Sequence, residues 1–348
     1  MFDNCNEQER SKTVNLHWPV YKNLEQEIIE LSFNVFFDDS QFEYILDIKD
    51  GTKYIKTPPY SLKISDLLVR CCTEIEAIIL EMTQGYDEEI KKLPTFDKKR
   101  GITIACRAVY LNGQIDLDKK IVYVSFPNMF FRNEENQAFA PFCYGREDND
   151  DFIAAYNTVK HNRNIDTIYK GNIRFLLRAM AALYLLNIYY KNEVMIKLGC
   201  LVTKGEFDNR LSSDIFSVKC AEALSLTWDD NMSDESILWK KGDSRQESTY
   251  IIKFVDRSFK ALHKAHCLDH IKTQKQIMES QLVMDFLKNN PDKKFNNTND
   301  LLRQAGGVEL VTQLASHEFG NVITNAKTEA VLNKNQAIYP CVSYKNDD

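Results

Sequence analysis

In residues 152–163 (FIAAYNTVKHNR), Asn157, Lys160, His161 and Arg163 crowd one end of an expected helix. Asn157 and His161 are four residues apart, and Lys160 lies three beyond Asn157, so these three share a face. A cation beside an imidazole disfavours its protonated form, which leaves a neutral ring able to accept a proton near pH 7. Taking the proton from a ribose 2′-hydroxyl needs such a base, with cations near the scissile phosphate. His161 is therefore read as the base, Asn157 as its orienting partner, and Lys160 and Arg163 as phosphate contacts. The plain alternative is a capped helix end whose basic side chains are simply solvated.

The opposite wall is expected from residues 61–82. There Arg70 and Glu74 are four apart and flank an apolar seam, while Glu76 and Glu81 are read as solvent-facing. Glu74 is a candidate to orient His161, and the competing expectation is an ordinary Arg70–Glu74 pair within one helix. A second cluster, His263, His266, Cys267 and His270, also falls at helical spacing. Two imidazoles four apart can chelate one metal ion. No CxxC or HExxH accompanies them, so a polar helix face is the default and no metal or cofactor is called for.

At residues 156–161 the chain resembles a family. Tyr156-Asn157-Thr158-Val159-Lys160-His161 is similar to the R-N-x-x-x-H motif of HEPN domains. The resemblance covers about residues 60–192. It implies a helical bundle, and for an active member a metal-independent endoribonuclease leaving a 2′,3′-cyclic phosphate. It also implies a homodimer that brings two motifs together, and a setting in bacterial toxin–antitoxin or antiviral defence. The motif's Asn and His fall on Asn157 and His161, but Tyr156 stands where the motif has arginine. A catalytically silent module that dimerises or holds a protein partner is the alternative this departure favours. A literal arginine-to-histidine match, Arg257 to His263, carries little weight, because thirteen Arg and six His give about 0.7 such matches by chance.

The elements that would position these residues are legible in part. Ile64, Leu68, Cys71, Ile75, Ile78 and Met82 repeat in steps of four and three, and Leu67, Cys72 and Ile79 widen the seam. Helices are also expected over residues 21–31, 152–162, 172–191 and 263–288, with Gly171 breaking a helical hairpin. Thr298 opens a short helix ending at Gly306-Gly307. Residues 120–131, interrupted at Pro127, and residues 249–255 read as strands. Residues 36–56, 102–109 and 215–226 stay unassigned, 146–151 form an acidic loop, and the last thirty residues are expected to pack loosely. The fold class is mainly α (α+β): a leader over residues 1–19, a bundle over 20–195 with a small strand component, and a mixed α/β half over 196–348. No Pro/Gly/Ser linker marks that last boundary.

Composition narrows the function classes. A net charge of −6 means that any RNA contact must use a local basic patch. Nine cysteines, with Cys71 and Cys72 adjacent and no paired spacing, read as reduced thiols. The N-terminal MFDNCNEQER is no signal peptide, and the apolar run 175–190 reads as a core helix rather than a membrane span. The chain is therefore expected in the cytoplasm. There is no G-x(4)-G-K-[ST], no G-x-G-x-x-G after a strand and no G-x-S-x-G, so NTPase, dinucleotide-binding and α/β-hydrolase readings fall away.

Overall fold

The computed structural model describes residues 15–39, 45–49, 52–56, 59–143, 152–161, 168–191, 206–224, 244–295, 298–306, 322–335 and 338–339. Within these, the protein is mainly α with small sheets. The acidic stretch 146–151, Arg163 and Gly307 lie outside the described residues.

Helix α1 (His17–Ser32) begins earlier than its apolar spacing indicated, so His17 and Trp18 belong to the bundle and not to a leader. Its Tyr21, Leu24 and Ile28 are buried. Next come β1 (Phe37–Asp38) and the antiparallel pair β2 (Ile45–Lys49) and β3 (Thr52–Lys56) in the unassigned stretch. Helix α2 (Leu62–Met82) carries the predicted seam. Ser61 caps it by accepting from the Ile64 amide at 3.2 Å, and every seam residue except the half-buried Met82 is buried. Residues 102–109, left open by the sequence, join helix α3 (Ile104–Ile115), capped by the Thr103 hydroxyl and closed by Asp116 in a left-handed conformation (φ 51°). The expected interrupted strand divides at Pro127 into β4 (Val122–Val124) and β5 (Met129–Phe130), and β5 pairs in parallel with β1.

After β6 (Ala138–Phe139), helix α4 (Phe152–His161) and helix α5 (Ile173–Lys191) form the predicted hairpin. Asn172 caps α5 by accepting from the Phe175 amide at 3.1 Å. α5 is the axis of the molecule: from Leu176 to Ile188 nearly every side chain is sealed, and Cys71 on α2 meets Met180 sulfur to sulfur at 3.2 Å. A helix apolar all round must be covered all round. α1, α2 and α4 supply that cover. This is the one described helix long and apolar enough to cross a membrane, and here it is the core of the bundle.

Apart from short helical turns, the described elements that follow are β7 (Phe216–Val218), β8 (Cys220–Ala223), β9 (Tyr250–Phe254), α6 (Asp256–Met278), α7 (Gln281–Asn289), α8 (Thr298–Ala305) and β10 (Thr328–Leu332). The expected single helix over 263–288 is two, because the Ser280 hydroxyl caps a new start at α7. Within the last thirty residues, 328–332 and Tyr339 do not pack loosely. β10 pairs with β9, and the Tyr339 ring stacks on Phe259 at 4.0 Å while its hydroxyl accepts from the Phe254 amide at 3.0 Å.

Packing runs across residue 195. β4 sits between β6 and β7, and one hydrophobic core holds residues from Trp18 to Tyr250. The tie is polar as well as apolar. Glu25 on α1 is fully buried and accepts from the Tyr21 hydroxyl (2.8 Å), the Ser213 hydroxyl (2.5 Å) and the Asp214 and Ile215 amides (3.0 and 3.2 Å). Lys22 adds an ion pair to the same carboxylate. A buried carboxylate is tolerable only when its oxygens are occupied in this way.

Two predictions follow from this packing. Gly171 lies so close to α2 that an added Cβ would sit 1.9 Å from Ser65 Oγ and 3.0 Å from Ser65 Cα. Gly171→Ala should therefore cost about 1–3 kcal/mol in urea unfolding, because the hairpin must back away from the seam. Lys120 is fully buried with its ammonium donating to the Gln246 carbonyl at 2.8 Å, and burial lowers its pKa to about 8. Above that value the unfolded chain binds a proton the native chain has lost, so stability rises with pH. Buried Tyr21, Tyr184 and Tyr189 have pKa values raised chiefly by burial, so they oppose the trend once unfolded tyrosine ionises near 10. Buried Cys71, whose pKa burial also raises, opposes it over the same range, so the Lys120 contribution is read as a difference: wild type should gain about 2 kcal/mol over Lys120→Met between pH 8 and pH 10 in urea unfolding.

Candidate functional site

α4 buries one stripe, Phe152, Ala155, Tyr156 and Val159, spaced three, four and seven from the first. That stripe faces α2 and α5. The complementary face carries Asn157, Lys160 and His161, all exposed. The expected grouping of these three on one solvent face is therefore present, while Arg163 lies outside the described residues. Among the described residues, neither the His161 ring nor the Asn157 amide has a hydrogen-bond or ion-pair partner.

Position 156 is a core position, with the tyrosine 1% exposed. Its hydroxyl marks the edge of that core: it accepts from Lys160 Nζ at 2.7 Å and donates to Glu76 Oε2 at 3.4 Å. The Lys160 ammonium also stands over the Tyr156 ring, 4.9 Å from its centre. The hydrogen bond to Tyr156 first, and the charge of Glu76 second, raise the Lys160 pKa. Lys160 is thus a firmly charged ammonium held toward Tyr156 and Glu76 on the α2 side of the helix. Phosphate would reach it only from the side these partners leave open.

Three expectations for the opposite wall need correcting. Glu74 does not orient His161. It faces α1, where its Oε1 lies 2.5 Å from His17 Nδ1. Arg70 does not pair with Glu74 either, because Glu27 on α1 offers a carboxylate at 2.6 Å, with Asp66 farther at 3.9 Å. Lys63 joins this cluster, and its hydrogen bond with that of Arg70 lowers the Glu27 pKa. Glu76 and Glu81 are not simply solvated: Glu76 meets Tyr156, and Glu81 meets His17 Nε2 at 3.2 Å and the Tyr190 hydroxyl. Helical periodicity places a residue on a face of its own helix. Which neighbouring helix that face meets is decided only by packing.

The sequence places His17 in the leader, so its role emerges only from the packing. It is buried, with one carboxylate at each ring nitrogen and the Tyr190 ring edge-on at 5.3 Å. An imidazolium donates to both carboxylates, whereas a neutral ring donates to one. The signal that could have found it is His17-Trp18-Pro19, since proline is tolerated in a first helical turn. Its role in the fold is to clamp α1 to α2 and α5.

The other candidates separate. Arg257 sits in the first turn of α6 rather than closing a strand, and six residues along a helix place it and His263 on different faces. The His263 ring instead lies 6.2 Å from that of Phe259. The side chains of His266, Cys267 and His270 lie outside the described residues. Among the described residues no group of three or more His, Cys, Asp or Glu could hold a metal ion.

The link through Tyr156 can be tested directly. Tyr156→Phe should free Lys160 and Glu76 and cost about 0.5–1.5 kcal/mol in urea unfolding. Tyr156→Arg, which restores the motif's letter, should cost about 3 kcal/mol or more, because it places a guanidinium at a core position.

Compared with known protein families, with characterised proteins and with solved structures, the chain matches none.

Proposed function

We propose that this chain is a HEPN-like helical module directed at RNA through the exposed face of α4. The observation that carries the reading is the placement of Asn157 and His161 together at solvent, four residues apart, with a charged Lys160 beside them. In this reading His161 takes the proton of a ribose 2′-hydroxyl, and the freed oxygen attacks the adjacent phosphorus. The 5′-oxygen of the next nucleotide leaves, and a 2′,3′-cyclic phosphate remains. Asn157 orients the imidazole, Lys160 and Arg163 meet the phosphate, and no metal takes part. A homodimer would bring two α4 faces together, in the cytoplasm and within a bacterial defence or toxin–antitoxin module.

A second reading, a catalytically silent interaction module, is favoured by a specific observation. The position where the motif has arginine is a buried tyrosine, and the nearest cation is tied to it and close to Glu76. The acidic balance of −6 points the same way.

The two readings part in one experiment. The purified protein is incubated with total RNA in EDTA, beside a His161→Ala variant. The ribonuclease reading expects wild-type cleavage with cyclic-phosphate ends, reduced about 10²–10⁴-fold in the variant. Equal cleavage by both proteins removes His161 as the base, and none by either leaves the interaction module.

A further inference from the structure

Helix α3 buries Cys106, Leu111 and Ile115, and beside that stripe it carries two alanines. The exposed Ala105 and half-buried Ala108, three apart, line a space together with Ile79 of α2 and Ile153 of α4. The result is a cavity of about 480 Å³ walled by Ile79, Leu111, Phe142 and Ile153, with Cys143 beside it. This volume falls within the range of small-molecule sites, about 300–1,000 Å³.

The polar part of the wall is confined to Asn112 and Asp118. The Asn112 Oδ1 accepts from the Asp118 amide at 2.8 Å, so its side-chain NH₂ is the group left for a ligand. Asp118 carries one carboxylate oxygen that is buried and has no hydrogen-bond partner. Among the described residues the Asp118 carboxylate, which lines the cavity, has no donor. The neighbouring Lys120 does not supply it, because its ammonium is directed to the Gln246 carbonyl.

We propose that this cavity is a binding site for a small molecule with an apolar body and a cationic nitrogen head. The apolar body would lie between α2, α3 and α4, and the head would donate to Asp118, whose carboxylate turns easily about its terminal bond. Anionic ligands would be rejected, since a second carboxylate would face Asp118 and no cation stands among the described residues that line the cavity. The site does not depend on the RNA reading and shares none of its residues.

The experiment uses the full chain and two probes of the same shape, tryptamine and indole-3-propionate. Tryptamine should bind in calorimetry, raise the Tm and slow alkylation of Cys143 by iodoacetamide, while indole-3-propionate should do none of these. Asp118→Asn, nearly isosteric, should weaken tryptamine by about tenfold or more through the loss of one charge-assisted hydrogen bond. Ala108→Phe should abolish binding by filling the space. Equal binding of the two probes, undiminished binding to Ala108→Phe, or no binding of tryptamine at millimolar concentration would each overturn the proposal. Should Asp118→Asn fail to fold, the Ala108→Phe variant and the probe pair decide the matter without it.

Discussion

The constraint on which this structure rests is the enclosure of α5. Its sequence offers water almost no polar face, so the rest of the chain must wrap it. α2 meets that need along its whole length, and the sulfur contact between Cys71 and Met180 lies in the middle of the interface. α1 and α4 close the sides. Each covering helix can spend only one stripe on this task, and what remains on its outer face is free for polar residues. The exposed row Asn157, Lys160 and His161 on α4 exists because Phe152, Ala155, Tyr156 and Val159 are committed to the core.

The polar contacts between helices divide the same way. Two buried groups on α1 are fully engaged: Glu25 gathers hydroxyls and amides from α1 and from residues 213–215, and His17 bridges Glu74 and Glu81. Such groups fix how α1 sits on its neighbours, since a misplaced helix would leave a carboxylate unpartnered. At the rim of the core, Tyr156 is the transition between the two regimes. Its ring is buried with the apolar stripe, and its hydroxyl joins an exposed lysine to a half-buried glutamate. That arrangement accounts for a tyrosine at 156. An inward-pointing position suits an aromatic ring with one polar tip better than a guanidinium.

Much of the helical frame was legible before any coordinates. The seam from Ile64 to Met82, the hairpin break near Gly171 and the apolar run that became α5 follow from spacing and punctuation, which act within one helix. The exposed face of α4 was legible for the same reason. The break at Ser280 and the early start at His17 were not, because both depend on short polar signals beside weak periodicity. The strands at 216–223 and 328–332 were hidden too, since each is short and is held by a partner remote in sequence.

By itself, the sequence determined which residues are apolar, at what period they recur, and hence which helices form and which faces they bury. The tertiary structure alone decided what those faces meet. It gave Glu74 to His17 and Arg70 to Glu27, tied Lys160 to Tyr156, and left Asp118 beside a cavity bordered by two alanines. The reason is physical: periodicity is local to a helix, whereas pairing and empty space arise only where separate helices are brought together.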